Sequence, residues 1–274
     1  MAAIDQAGIV RLGADDARAG LALSTEAHWN QNEADWRFFL TKGDVFGVRD
    51  SFGLLIASAA LLPYTSGNAW ISMVLVTERC RRRGLATRLV DACLAAAATR
   101  KLTTWLDATP AGATVYGPLG FAPTLQLRRL RLETARAEAA PSLSPCGIDE
   151  FIGRDTGAMG FDRGVLLREL GGRPGSRLMS NGGAVALVRD GRKARHIGPV
   201  FSDGPERALV LVNEIVGSEA ATFLIDAVNE QQTFLQGLTG SGWNIERPFQ
   251  RMRFGHADAH TARLPFAVAG PEYG

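Results

Sequence analysis

The chain has 274 residues, 46% hydrophobic and 21% charged, which predicts a folded protein with two domains or one large domain. Lysine and arginine exceed aspartate and glutamate by only 30 − 28 = 2, which argues against a protein that coats nucleic acid. The three cysteines lack CxxC spacing, so neither a disulfide framework nor a zinc site is expected. Without a signal-peptide pattern or a long apolar run, we expect a cytoplasmic protein with no membrane partner.

Hydrophobic periodicity over the first 133 residues predicts an α/β fold, a mixed sheet with helices on its faces. In chain order we expect two helices, a hairpin, a buried strand, a helix, a strand, a short helix and a last strand, at residues 13–30, 32–43, 45–62, 69–76, 85–101, 102–107, 109–117 and 124–133. In the last strand the alternation slips at Arg128 and Arg129, which indicates a bulge.

The second half repeats this order more faintly. "WLDA…LGFAPTLQLRRLRL" and "LIDA…SGWNIERPFQRMRF" share a strand, an aspartate, a helix, a glycine, an aromatic residue and a strand in the same order. A stretch rich in Ala, Pro and Ser precedes this half and is typical of a linker. We therefore predict an internal duplication, with domains at residues 1–133 and 147–274 and a linker at 134–146.

Five arginines fall within ten residues in "VLVTERCRRRGLATRLV" (residues 74–90), between a buried strand and a helix. The start of a helix carries unpaired N–H groups and a positive dipole end, so it attracts anions. The Arg81-x-x-Gly84-x-Ala86 spacing lets the backbone approach a phosphate closely. A solvated surface turn remains the alternative. A nucleic-acid site fits less well, because no aromatic residues are interleaved with the arginines.

Together with "LDATPAGATVYGPLGF" (residues 106–121), this stretch resembles the GNAT superfamily of acetyl-CoA-dependent N-acetyltransferases. The family's R/Q-x-x-G-x-G/A loop corresponds to residues 81–86, and its tyrosine before a Gly-Phe pair corresponds to Tyr116. The resemblance covers about residues 1–133, and the whole chain is similar to tandem members. The departures are Glu78, Arg82 and Thr109, where the family often has proline, glycine and asparagine.

The resemblance implies acetyl-CoA as co-substrate and no metal. The pantetheine arm would bond to the backbone of Val74 and Val76, and the phosphates would lie on the loop. The implied cofactor-binding residues are Val74, Leu75, Val76, Arg81, Arg82, Arg83, Gly84, Leu85, Ala86, Thr87 and Thr109.

The implied reaction is direct attack of an amine on the thioester. The resemblance makes Tyr116 the acid that protonates the departing thiolate; an aromatic residue packed at a helix end is the alternative. A backbone N–H near Leu75 is the candidate oxyanion donor. No general base is evident. The candidate acceptor-side residues, each with a capping, surface or core alternative, are Glu26, His28, Trp29 and Asp107.

The second half lacks the arginine loop and has "SDGPE" in its place, so we expect it to bind no coenzyme A. It would form a wall of the acceptor site or stabilise the first domain. The predicted function is N-acetylation of a small-molecule or peptide amine. The alternative is a non-catalytic acetyl-CoA-responsive binding or regulatory protein. The identity of the amine and the oligomeric state, including a homodimer, stay open.

Overall fold

The computed structural model describes residues 7–133, 142–256 and 264–274. The chain divides into two compact units, which do not follow a single cut in the sequence. Unit 1 comprises Met1–Leu106, Thr114–Ala122 and Arg253–Ala257, and unit 2 comprises Asp107–Ala113, Pro123–Met252 and Asp258–Gly274. Most of the predicted linker, residues 134–141, lies outside the described residues, so the predicted domain boundary stays a prediction.

The secondary structure confirms the internal duplication. The first half contains β1 Ile9–Arg11, α1 Ala17–Glu26, α2 Glu33–Lys42, β2 Asp44–Arg49, β3 Leu55–Pro63, β4 Asn68–Val76, α3 Leu85–Thr99, β5 Thr103–Ala108, α4 Pro110–Tyr116 and β6 Ala122–Leu132. The second half contains β7 Ser144–Pro145, α5 Ile148–Met159, α6 Gly164–Gly172, β8 Arg177–Asn181, β9 Ala184–Arg189, β10 Arg195–Phe201, α7 Pro205–Gly217, β11 Phe223–Val228, α8 Gln232–Gly240 and β12 Asn244–Phe254. The two halves present strands and helices in one order, although strands β1, β7 and β8 and helix α7 were not predicted.

Unit 1 is built on the strand order β1-β2-β3-β4-β5, in which only β4 and β5 run parallel. Helix α2 begins at a capping box between Asn32 and Asp35 and ends at Gly43, as the sequence predicts. The apolar stripe of α3, with Leu89, Val90 and Cys93 fully buried, faces the core.

Strand β4 changes its pairing halfway along. It pairs with β5 at Asn68–Trp70, and no further β4–β5 pair occurs among the described residues. On its other side β4 carries a bulge, since Ser58 faces Leu75 while Ala60 faces Ser72. The second half of β4 therefore has one backbone edge that no neighbouring strand uses; we call this opening the β4–β5 gap.

Unit 2 is built on the strand order β12-β6-β11-β10-β9-β8-β7. The pairing of β6 with β11 runs from Leu127 to Leu132 without a register shift, so the predicted bulge is absent from this pairing. The break in alternation has another cause: Arg129 points into the interior and donates two hydrogen bonds of 2.8 Å to Asp226. A buried arginine is tolerated there because a buried carboxylate neutralises it.

Candidate functional site

The arginine loop (residues 77–84) joins β4 to α3 in unit 1. Gly84 is the residue before the helix and has φ +72°, a conformation that glycine adopts without strain. No atom lies within 4 Å of the position that a Cβ on Gly84 would take, apart from its chain neighbours. Within the described chain no side chain caps α3. The first N–H groups of α3 are therefore available to an anion from outside the helix.

Positive charge surrounds this helix start. Arg82 is exposed and makes no ion pair with the described residues, whereas Arg79 pairs with Asp50 at 2.9 Å. The Arg81 side chain bonds to the Val76 carbonyl at 3.3 Å, and Arg88 donates to the Ala7 carbonyl at 2.7 Å. The loop thus combines unpaired backbone donors with cations, which is the combination that phosphate groups require.

Glu26, a predicted acceptor-side residue, holds the start of the arginine loop. Its carboxylate accepts from the Thr77 hydroxyl at 2.8 Å and from the Glu78 N–H at 2.7 Å. The pKa of Glu26 is lowered chiefly by the Glu78 hydrogen bond, with further contributions from Thr77 and Arg81 that outweigh its partial burial. Glu26 is thus ionised and already hydrogen-bonded, an arrangement that suits loop positioning better than proton abstraction.

The free edge of β4 contains two of the predicted pantetheine contacts. The Thr77 N–H donates to Ile56 of β3 at 2.9 Å. Because backbone groups alternate along a strand and Thr77 bonds to β3, Val76 directs its groups away from β3, toward the β4–β5 gap, where its carbonyl accepts from the Arg81 side chain. The bulge between Ser72 and Leu75 breaks this alternation at Val74, so the role of Val74 stays a prediction. The same alternation turns the N–H of Leu75 toward β3, so the N–H of Val76 suits the role of oxyanion donor better than that of Leu75 does.

Tyr116 closes α4 and belongs to unit 1, as the arginine loop does. Its ring is buried and lies 6.1 Å from the ring of Phe121. Burial, followed by the neighbouring Cys93, raises the pKa of Tyr116 to about 12. The hydroxyl therefore keeps its proton at neutral pH, as a proton donor must, and the ring also fills the packing role of the alternative interpretation.

The side chain of Asp107 is fully buried in unit 2 and accepts two hydrogen bonds of 2.9 Å from Arg251. The pair repeats that of Asp226 with Arg129, and each pair joins one half of the sequence to the other. The repeated "LDA" and "IDA" tripeptides, each matched by an arginine in a final strand, are the signal that sequence reasoning missed. Asp107 is therefore better explained as a structural residue than as a base.

The remaining predicted residues are placed as follows. Thr109 caps α4 by accepting from the Gly112 N–H at 3.2 Å, and it lies in unit 2. His28 is exposed with φ +60°, and Trp29 is half-buried. Leu85 is buried, while Ala86 and Thr87 are half-buried in the first turn of α3 and Arg83 is half-buried in the loop. The described residues contain no cluster of His, Cys, Asp or Glu suited to a metal ion.

The equivalent loop of unit 2 has the opposite chemistry. Helix α7 begins with Pro205, which has no N–H, followed by Glu206. Asp203 stands before it, and the Ser202 hydroxyl accepts from the Gly204 N–H at 3.3 Å. Acidic side chains and a missing donor make this helix start unsuitable for a phosphate, which supports the expectation that the second half binds no coenzyme A.

Solved structures with the same fold include GCN5-related N-acetyltransferases. A protein from Pyrococcus horikoshii aligns with TM-score 0.81 and 18% identity, covering 97% of this chain and 95% of its own. A GCN5-related N-acetyltransferase from Sphaerobacter thermophilus aligns with TM-score 0.67 and 15% identity, covering 93% and 98%. A tandem GNAT protein from the clavulanic acid biosynthesis pathway aligns with TM-score 0.62 and 15% identity, covering 92% and 100%. At these identities the likeness establishes the fold.

Family models identify both halves. The model described as "Acetyltransferase (GNAT) family" matches residues 15–121, and the model described as "Acetyltransferase (GNAT) domain" matches residues 152–263. The chain therefore belongs to the GNAT acetyltransferases and carries two such domains in tandem, which confirms the resemblance seen in the sequence and the predicted α/β fold. No curated protein sequence matches the chain significantly. No helix among the described residues is long and apolar enough to cross a membrane.

Proposed function

We propose that the protein is an N-acetyltransferase that uses acetyl-CoA and acts through unit 1. The observation that supports this most directly is the β4–β5 gap leading to the uncapped start of α3. A strand edge whose backbone groups no neighbouring strand uses suits an amide-containing arm, and the helix start suits the phosphates beyond it. Acetyl-CoA would supply the acetyl group as a reactive thioester, and the acceptor would be a small-molecule or peptide amine.

The residues of unit 1 divide the work of the transfer. Val74 and Val76 hold the substrate arm through backbone hydrogen bonds, and one of their N–H groups can donate to the thioester oxygen as negative charge develops there. The arginine loop holds the phosphates. The Tyr116 hydroxyl gives its proton to the sulfur when the bond to the acetyl group breaks. The amine loses a proton to a base that remains unassigned, because both Glu26 and Asp107 are already hydrogen-bonded.

The test compares Tyr116→Phe with Tyr64→Phe in acetyl-CoA turnover over a panel of amines. Loss of the acid should lower kcat by about 10²–10⁴-fold with little change in the Kd for acetyl-CoA. Tyr64 follows β3 at the end remote from the arginine loop, so its variant should retain full activity. If kcat of Tyr116→Phe matches the wild type, Tyr116 is a packing residue. Binding of acetyl-CoA without turnover of any amine would instead support the regulatory alternative.

A further inference from the structure

We propose that the opening between β10 and β11 of unit 2 is a strand-binding site for a peptide, and that its ligand is the C-terminal segment of this chain (residues 264–274). Strands β10 and β11 are parallel and pair directly only from Arg195–Phe223 to Ile197–Ile225. Beyond these pairs the C-terminal segment lies between the two strands. This site is independent of any activity in unit 1.

The backbone of the segment completes both neighbouring strands. On β10, the Phe266 N–H donates to the Val200 carbonyl at 2.9 Å, and the Val200 N–H donates to the Ala267 carbonyl at 3.0 Å. On β11, the Val228 N–H donates to the Phe266 carbonyl at 3.0 Å, and the Asp226 carbonyl accepts a further bond of 3.0 Å from the segment. An added strand that bonds to its neighbours through the main chain is an established mode of peptide recognition.

The apolar side chains of the segment fill built pockets. Phe266 is 4% exposed and its ring contacts that of Phe234 edge-on, at 5.3 Å between centroids. Ala267, Val268 and Ala269 are also buried. Gly198 allows the backbone of the segment to approach closely, because a Cβ on Gly198 would lie 2.1 Å from the Val268 carbonyl oxygen. The site therefore selects an apolar strand that can approach closely.

Two buried arginines recognise the polar end of the ligand. Arg189 donates to the Glu272 carboxylate at 2.8 Å and to the Ala269 carbonyl at 3.0 Å, and its guanidinium lies 5.4 Å from the centre of the Tyr273 ring. Arg163, held by Asp155, donates to the Tyr273 carbonyl at 2.9 Å. A buried guanidinium is stable only with acceptors, so the site should favour a strand followed by an acidic and an aromatic residue.

The experiment makes the segment separable from the full chain. A protease recognition sequence is inserted between residues 260 and 261, the folded protein is cut, and a fluorescein-labelled peptide with the sequence of residues 264–274 is added. The fluorescence anisotropy of the labelled peptide should rise to saturation as the peptide replaces the cleaved C-terminal fragment in the site. A labelled peptide carrying Glu272→Gln should bind more weakly by a factor on the order of 100, because Arg189 loses its buried carboxylate. A scrambled peptide should not bind.

The control protein carries Arg168→Gln, which removes an exposed pair with Asp149 that does not touch the segment, and should bind the peptide like the wild type. Equal affinity for the native, Glu272→Gln and scrambled peptides would refute a specific site, as would failure of the native peptide to exchange. If the cut chain unfolds when the fragment leaves, refolding is followed with each peptide instead. Recovery with the native peptide alone supports the site, and equal recovery with all three overturns it.

Discussion

The two halves of this protein keep the same order of strands and helices but differ at the point where a parallel strand leads into its following helix. In unit 1, β4 leads to Gly84 and an arginine-rich, uncapped helix start. In unit 2, β10 leads to Asp203, Pro205 and Glu206, and the C-terminal segment lies between the parallel strands. A duplicated sheet can thus retain its opening while its occupant changes from a proposed phosphorylated substrate to a peptide strand.

The largest expected effect tests whether only the first helix start binds coenzyme A. Calorimetry should give one site per chain. Gly84→Glu should weaken binding about 100-fold or more, because a carboxylate would face the phosphates. Gly204→Glu, at the equivalent position of unit 2, should leave binding unchanged. Gly53→Glu controls for backbone strain, since Gly53 also has a positive φ, +81°, in a turn with open space around it. Equal loss in all three variants would refute the assignment.

The second prediction concerns the buried charges of unit 2. Arg129→Met should lower the free energy of unfolding by about 3–5 kcal/mol, because Asp226 would be left buried without its guanidinium partner. Arg131→Met, two residues further along β6, removes an arginine paired with exposed carboxylates and should cost less than about 1 kcal/mol. Urea denaturation measures both values. If the two variants lower the free energy of unfolding by similar amounts, the buried Arg129–Asp226 pair stabilises the fold no more than the exposed pairs of Arg131 do.

The third prediction is a pH dependence that arises in the same cluster. Burial lowers the pKa of His196, although the hydrogen bond to Asp226 opposes this shift. As the pH falls below about 6.5, His196 therefore takes up a proton in the unfolded chain before it does so in the folded protein. Burial raises the pKa of Asp226, but Arg129 and the hydrogen bond from His196 outweigh it and leave that pKa below its usual range. Both shifts place maximal stability at neutral pH, with loss on acidification.

Stability measured from pH 7 to pH 5 should therefore fall by up to about 1.4 kcal/mol per pH unit for the His196 proton, while the contribution of Asp226 is lost only below about pH 4. His196→Gln should flatten the curve in the first interval. A wild-type curve that is flat over this interval would contradict the prediction.

The smallest expected effect separates loop positioning from acceptor binding at Glu26. Glu26→Gln should weaken coenzyme A binding by about tenfold or less, since it replaces a charged acceptor of the Glu78 N–H by a neutral one. Glu33→Gln removes an exposed helical pair with Arg37 and serves as the control. The KM for the amine should stay near the wild-type value. If the KM for the amine changes while the affinity for coenzyme A does not, Glu26 contacts the acceptor amine and does not position the loop.

Local sequence patterns determined most of the fold and the candidate phosphate loop. Helix α3, the hairpin of β2 and β3, the cap at Asn32 and the order of the repeat follow from periodicity, turn residues and capping, which act over a few neighbouring residues. The glycine that opens α3 and the cations around it are also adjacent in the chain. Such features are readable from the sequence because the physical interactions that produce them are local.

Tertiary structure alone decided the features that join residues distant in sequence. The sequence made Asp107, at the end of a strand, a candidate acceptor-side residue, but both of its carboxylate oxygens accept hydrogen bonds from Arg251. The sequence also predicted a bulge at Arg129, which is instead a buried residue paired with Asp226. Nothing in the letters "LPFAVAGPEYG" marks an inserted strand, since its partners lie on β10 and β11. Hydrogen bonds and buried ion pairs depend on which segments meet across the sheet, and that juxtaposition comes from packing of the whole chain, which no local pattern encodes.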